Sequence, residues 1–209
     1  MSSWLTESRR RALKDFGLQI LNTTIAVLIA LGFQALWEGH RDRRLVAVAQ
    51  EQMDSELREN RDDARRMHGM IIASRQGVAA YLTHVKALLA KHGAAAGKEP
   101  STLATFSVVF GTSSRSTAEA TGALSHMSYR EARRYAAVYE YQQSVTATLQ
   151  RLDEQYLTVQ AIIEGGLGEL DAGELSAARA ALLGLAKTLD VLEGQRQTLL
   201  AFYDKALER

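Results

Sequence analysis

A stretch of 22 residues without a charge, Phe16–Trp37, is the feature that most limits how this chain can fold. An α-helix rises about 1.5 Å per residue, so the stretch would span about 33 Å, close to the bilayer's hydrocarbon core of about 30 Å. Trp4 and Trp37 stand where aromatic residues collect at membrane surfaces. Basic residues flank the stretch on both sides: Arg9, Arg10, Arg11, Lys14, Arg41, Arg43 and Arg44. The pattern predicts one transmembrane helix, with the lipid bilayer as a partner of the chain.

The sequence leaves two other interpretations of the stretch open. A cleaved signal peptide needs small residues at A-x-A spacing after the apolar run, and QALWE at 34–38 lacks them. A core helix of a soluble domain is the second interpretation, because polar residues interrupt the run: Gln19, Asn22, Thr23, Thr24 and Gln34. We interpret these residues as a face where helices meet, since amides and hydroxyls form hydrogen bonds between helices in membranes. Asn22 and Gln34 are therefore candidate association residues.

The flanking charges discriminate weakly between the two orientations, with four basic residues before the stretch and three after it. A short basic tail before a first apolar helix usually stays in the cytoplasm. We therefore expect a single-pass protein of the bacterial inner membrane, with the bulk of the chain in the periplasm.

A seam of three- and four-residue steps begins at Leu45 and is typical of a coiled coil or helical bundle. Its members are Leu45, Ala49, Met53, Leu57, Asn60, Ala64, Met67, Ile71, Ser74, Val78, Tyr81, Val85 and Leu88. An asparagine at a seam position specifies register or partner, so Asn60 is also a candidate association residue. The sequence does not decide whether this stem is one helix or bends near Met67–Gly69.

Charged residues between the seam positions predict a solvated helix face. They are Asp54, Glu56, Arg58, Glu59, Arg61, Asp62, Asp63, Arg65 and Arg66.

The segment 93–100 (GAAAGKEP) interrupts the helical pattern and contains the only proline. The following residues, 102–110, suit either a short helix or an extended segment. Three capping boxes then predict helix starts: Ser116 with Glu119, Ser128 with Glu131, and Asp171 with Glu174. A glycine pair, Gly165-Gly166, predicts the end of the helix that Ser128 opens.

These elements predict an all-α fold, in which the transmembrane helix continues into a stem that packs in a three- to four-helix antiparallel bundle. The expected segments are a basic tail (1–15), the transmembrane helix (16–37), the stem (38–93), a connector with short helices (94–127) and two long helices (128–209).

Several passages together resemble a widespread group of bacterial single-pass membrane proteins of unknown function. The passages are IAVLIALGFQALWE at 25–38, Leu45, ELREN at 56–60, TAEATGAL at 117–124, and a helix with Tyr135 and Tyr139. The resemblance covers about the first two-thirds of the chain. It implies a membrane-anchored helical domain and supplies no reaction and no catalytic residues.

The composition and motifs exclude several classes of chemistry. The chain has 209 residues, no cysteine and a net charge of +1, which exclude disulfides, thiolate catalysis and binding to nucleic acid through bulk basicity. The five histidines lack metal-binding spacing, and the chain has no P-loop and no G-x-S-x-G elbow. We therefore expect a protein that is not an enzyme and holds no metal or cofactor.

The densest aromatic and basic cluster suggests a binding surface. Tyr135, Arg134, Tyr139 and Arg130 are candidate partner-binding residues, because tyrosine and arginine anchor many interfaces. The alternative is that the tyrosines belong to the core and the arginines to a solvated face.

Two functions fit the sequence. The first is a non-enzymatic scaffold, adaptor or subunit of a bacterial envelope complex that forms a homo-oligomer or binds a membrane-protein partner. The second is a ligand-sensing extracytoplasmic bundle that signals through a partner.

Overall fold

A computed structural model describes the backbone of residues 4–91, 98–100 and 103–208, and every regular element in that part is helical. The elements are α1 (Trp4–Lys91), α2 (Ser113–Ala120), α3 (Ala123–His126), α4 (Tyr129–Glu164), a short 3-10 helix (Leu167–Glu169) and α5 (Ala172–Leu207). The chain divides into two compact units, Met1–Val48 and Ala49–Arg209. We refer to Ala49–Arg209 as the helical unit.

The first unit contains the apolar stretch as helix with its described side chains exposed. Ile25, Leu28 and Phe33 are 46%, 62% and 70% exposed. Within the described residues, one helix is long and apolar enough to cross a membrane, and none of its most apolar window is buried. The structure therefore buries none of the described side chains of this stretch.

In the helical unit, α1 buries the predicted seam. The apolar seam residues that are buried are Met53, Leu57, Ala64, Met67, Ile71, Val78, Tyr81, Val85 and Leu88. The seam therefore finds its packing partners inside the same chain. The helical backbone is unbroken at Gly69, so of the two alternatives for the stem the single helix is the one observed.

Side chains and glycines set the ends of the two long helices. The predicted capping boxes at Ser128 and Asp171 are confirmed, since each side chain accepts from the third amide and the glutamate there returns a hydrogen bond. α4 ends at Glu164, and Gly166 follows in the left-handed region at φ 82°. The capping box predicted at Ser116 is wrong, because α2 begins three residues earlier.

The hydrogen bonds between α1 and α4 show the direction of the two helices. Residue 50 pairs with 131, 54 with 135, 56 with 139 and 60 with 142, so the two helices are parallel. In contrast, α5 is antiparallel to α1, because residues 61 and 75 pair with 204 and 190. The expectation of an antiparallel bundle therefore differs from the observed direction of α1 and α4.

The connector explains this parallel pair. Residues 103–112 are neither helix nor strand, so the extended alternative is the one found for the described part of 102–110. Tyr81 Oη donates to the Pro100 carbonyl at 2.6 Å, and Ser74 Oγ donates to the Ala104 carbonyl at 2.7 Å. Later residues of the connector therefore pair with earlier residues of α1. The chain thus runs back along α1 before α4 begins.

Candidate functional site

A clamp of two side-chain amides holds the end of the connector, and we define it by Asn60, Gln142 and Gly111. Asn60 accepts from the Gly111 N–H at 2.8 Å and donates to the Gly111 carbonyl at 2.9 Å. Gln142 donates to the same carbonyl at 3.1 Å, and its own Oε1 accepts from Asn60 at 3.2 Å. Tyr203 of α5 donates to that Oε1 at 2.9 Å. The clamp therefore ties α1, α4 and α5 to one backbone position.

Glu56 lies one helical turn before Asn60 and binds the start of α2. Its Oε2 accepts from Ser113 Oγ and from the Ser114 N–H, both at 2.9 Å. Tyr139 donates to Oε1 at 2.7 Å. Because Thr112 makes no side-chain cap, this carboxylate from another helix satisfies an amide that the first turn of α2 leaves without an intrahelical partner.

A second buried tyrosine pairs with Asp54. Tyr135 donates to Asp54 Oδ1 at 2.7 Å and accepts from Arg134 at 3.0 Å. Burial, followed by the hydrogen bond to Asp54, raises the pKa of Tyr135 to about 12. Burial, followed by the hydrogen bond to Glu56, also raises the pKa of Tyr139, and both hydroxyls are donors at neutral pH.

The assignment of Asp54 and Glu56 to a solvated face was wrong, because only 2% and 8% of these residues are exposed. Two signals were present in the sequence. Asp54 directly follows a seam residue, and Glu56 stands four residues before the polar seam residue Asn60. Their partners on α2 and α4 are too distant in sequence to be predicted from spacing.

The structure separates the four predicted partner-binding residues. Tyr135 and Tyr139 are 2% and 1% exposed, which agrees with the alternative that the tyrosines belong to the core. Neither ring is therefore available to a binding partner. Arg130 is exposed and Arg134 is half-buried. Docking of a partner at this cluster stays a prediction that depends on the arginines.

The three predicted association residues also differ in environment. Asn60 is 3% exposed and makes intrachain hydrogen bonds, which give it a role in folding. Asn22 and Gln34 are exposed, and Gln34 donates to Glu38 at 3.0 Å. Association through any of the three stays a prediction.

An open pocket of about 1160 Å³ lies in the helical unit where α4 begins and α5 ends. Its lining residues are Gln50, Asp54, Ser128, Arg130, Glu131, Arg133, Arg134, Tyr135, Ala137, Val138, Phe202, Lys205, Ala206 and Glu208. We call it the basic pocket, after its three arginines and its lysine.

Arg196 and Glu193 of α5 form a separate buried ion pair, which also contacts His68 of α1. Arg196 donates to Glu193 at 2.6 and 2.8 Å, and His68 Nδ1 lies 3.2 Å from the same carboxylate. These donors, Arg196 first, hold the pKa of Glu193 at about 2. Among the described residues, no group of three histidine, aspartate or glutamate side chains is placed to hold a metal ion. His92, one of the five histidines of the sequence, lies outside the described residues.

In chemical terms, the clamp and the residues beside it form a set of matched donors and acceptors. Glu56 already accepts three hydrogen bonds, and the raised pKa values keep Tyr135 and Tyr139 protonated. Such an arrangement holds backbone segments in place.

Comparison with protein-family models, with curated proteins and with solved structures finds no match to this chain. The resemblance to bacterial single-pass membrane proteins therefore stays a prediction.

Proposed function

We propose that the chain is a membrane-anchored helical scaffold, adaptor or subunit of a bacterial envelope complex, and that it is not an enzyme. In this proposal, residues 16–37 cross the inner membrane once, and the bulk of the chain lies in the periplasm. The stem, α4 and α5 form a three-helix bundle, with α2 and α3 as a fourth packing element.

The observation that carries the proposal is the exposure of the apolar stretch. Leu36 and Trp37 are 73% and 74% exposed, and the most apolar window of α1 has no buried share. A long helix with large apolar residues exposed around most of its surface needs a lipid or protein environment. The helical unit supports a structural role, because buried polar side chains such as Glu56, Asn60 and Gln142 bind other parts of the chain.

One face of the proposed span favours association with a second helix. At about 100° per residue, Gln19, Asn22, Ala26, Ala30 and Gln34 lie on one side of the helix. Small residues let helix backbones approach closely, and amides form hydrogen bonds between helices. A second copy of the chain or another membrane helix would contact this face.

Crosslinking of single cysteines in membranes tests the association. The chain has no cysteine, so one introduced thiol gives an unambiguous product. We expect Ala30→Cys to form a disulfide-linked dimer, or a disulfide with a cysteine of one co-purifying protein, after mild oxidation. Leu28→Cys is the matched control, since it lies about 160° away around the helix. Only monomer from both variants, with no co-purifying protein, would contradict the proposed association. Reporter fusions at the C-terminus would separately test the orientation of the chain in the membrane.

The basic pocket favours a second candidate function, a ligand-sensing bundle that signals through a partner. A concave site with several converging polar groups is a common form of ligand site. A thermal-shift screen of metabolites on the full chain tests this candidate. We expect one chemical class to raise the unfolding temperature, and a flat response to every class would contradict it.

A further inference from the structure

The basic pocket contains three basic side chains that make no ion pair within the described part of the chain. These residues, Arg130, Arg133 and Lys205, also donate no side-chain hydrogen bond there. All three are exposed and line the same pocket. Elsewhere in the helical unit, arginines such as Arg61 and Arg75 pair with aspartates of α5.

The carboxylates of the pocket are mostly occupied by other groups. Glu131 accepts from Ser128 Oγ at 2.7 Å and from Gln50 at 2.9 Å, and these hydrogen bonds lower its pKa. Asp54 accepts from Tyr135. Glu208, the third carboxylate, stands at the end of α5. The pocket lining thus has four cations against three carboxylates, a formal excess of one positive charge. Neutral donors already occupy oxygens of Glu131 and Asp54, and in the described structure neither carboxylate forms an ion pair with the three exposed cations.

Two further features favour an anion in this pocket. Arg134 points its charge over the Tyr135 ring, 4.8 Å from the centroid, and its Nε is buried without an acceptor in the described structure. The N-terminus of α4, with Ser128 as its cap, also lines the pocket. The first amides of a helix have no intrahelical acceptor and carry a partial positive charge, which attracts anions.

We propose that the basic pocket binds a phosphate-bearing anion through Arg130, Arg133 and the first turn of α4. Arginine suits this chemistry because its planar guanidinium donates two parallel hydrogen bonds to phosphate oxygens. Tyr129, which is 81% exposed, stands between Ser128 and Arg130 in the sequence. Two sources share the chemistry, an anionic phospholipid headgroup and a soluble phosphate ester. The site consists only of residues of the helical unit, so it does not depend on the proposed association through the apolar stretch.

Hydrogen–deuterium exchange of the full chain in lipid nanodiscs tests the site and separates the two sources. The first arm adds inorganic pyrophosphate to nanodiscs of phosphatidylcholine, and the second replaces that lipid with phosphatidylglycerol. We expect slower exchange of the amides of Tyr129 and Arg130 in at least one arm. Slowing by pyrophosphate alone identifies a soluble ligand, and slowing by phosphatidylglycerol alone identifies a lipid headgroup.

Paired variants control for general electrostatic attraction. We expect Arg130→Gln with Arg133→Gln to weaken the response to the active probe about tenfold or more, since hydrogen bonds to charged groups are lost. Arg151→Gln with Arg179→Gln removes two exposed arginines that line no part of the pocket, and should leave the response unchanged. Either no slowing in both arms or equal loss in both variant pairs would overturn the proposal. Matching far-UV circular dichroism verifies that each variant is folded.

Discussion

Two stretches of α1 are rich in apolar residues and have opposite environments. From Gln19 to Trp37 the apolar residues lie on all sides of the helix, and those whose side chains are described are exposed. From Met53 to Leu88 the apolar seam residues recur at steps of three and four and are buried against the same chain, whereas Met70 and Ile72, off the seam, are exposed. The difference shows that the distribution of apolar residues around a helix, more than their number, determines which environment the helix requires.

The largest expected effect is the loss of membrane attachment when charges are placed in the exposed apolar stretch but not in the helical unit. Leu28→Arg with Ile29→Arg places two charges near the middle of the proposed span, at a cost of about 5–7 kcal/mol on insertion scales. We expect this variant to leave the membrane fraction on carbonate extraction. Leu157→Arg, at a position 69% exposed in the helical unit, should remain attached. A double variant that still pellets with membranes would contradict the proposed span.

The next effect compares equal truncations in the two stretches. Leu57 is fully buried, so Leu57→Ala should lower the free energy of unfolding of the helical unit by about 2–5 kcal/mol. Leu28→Ala removes the same atoms from a side chain 62% exposed and should change that free energy by less than about 0.5 kcal/mol. All seven tyrosines lie at positions 81–203 and both tryptophans at positions 4 and 37, so tyrosine absorbance reports on the helical unit. Similar losses from both variants would mean that the two stretches are not independent.

Acid should destabilise the helical unit through Glu193 of α5, whose carboxylate contacts His68 in the buried stretch of α1. The pKa of this residue is about 2 in the folded chain and 4.5 for an ordinary glutamic acid, a difference that corresponds to about 3 kcal/mol. Because the folded value is the lower one, the stabilisation is complete above pH 4.5 and is lost as the pH falls toward 2. Urea unfolding at a series of pH values should show this slope and should show it flattened in Glu193→Gln. The exposed Glu154→Gln should keep the slope, and an unchanged slope in Glu193→Gln would contradict the assignment.

A smaller effect tests the clamp. Gln142→Ala leaves the Gly111 carbonyl and the Tyr203 hydroxyl with fewer partners, so we expect a loss of about 1–3 kcal/mol. Gln143→Ala, the next position on α4, removes an exposed amide and should have little effect. Urea unfolding followed by tyrosine absorbance measures both. Equal stability of the two variants would show that the clamp contributes little.

Much of the helical architecture could be predicted from periodicity and caps. The seam of α1, the starts of α4 and α5, and the stop at Gly165-Gly166 all depend on residues close together in sequence. The parallel direction of α1 and α4 could not be predicted, because it depends on where the connector lies. That path is held by hydrogen bonds between residues 19 to 51 positions apart.

The candidate site was less accessible to prediction for the same reason. The local density of aromatic and basic residues in the sequence indicates Arg130 and Arg134. The pocket is also lined by Lys205, which is distant from them in the sequence. Asp54 and Glu56 were misassigned because a charge between seam positions usually faces solvent. A carboxylate becomes a core residue only when donors from other elements reach it, as Tyr139 and Ser113 reach Glu56.

The smallest expected effect compares the replacement of glycine by alanine at two positions, where we expect it to change the free energy of unfolding in opposite directions. A Cβ at Gly69 meets nothing within 4 Å, so Gly69→Ala should stabilise the helical unit by up to about 1 kcal/mol through helix propensity. A Cβ at Gly111 would lie 3.2 Å from Glu56 Cγ, and Glu56 cannot easily move because three hydrogen bonds hold it. Gly111→Ala should therefore destabilise the unit by about 1 kcal/mol or more, in the range of other overpacked sites. Urea midpoints that shift in opposite directions would support both an unbroken stem at Gly69 and a tight clamp at Gly111. A loss of stability in Gly69→Ala would instead indicate that the stem needs flexibility there.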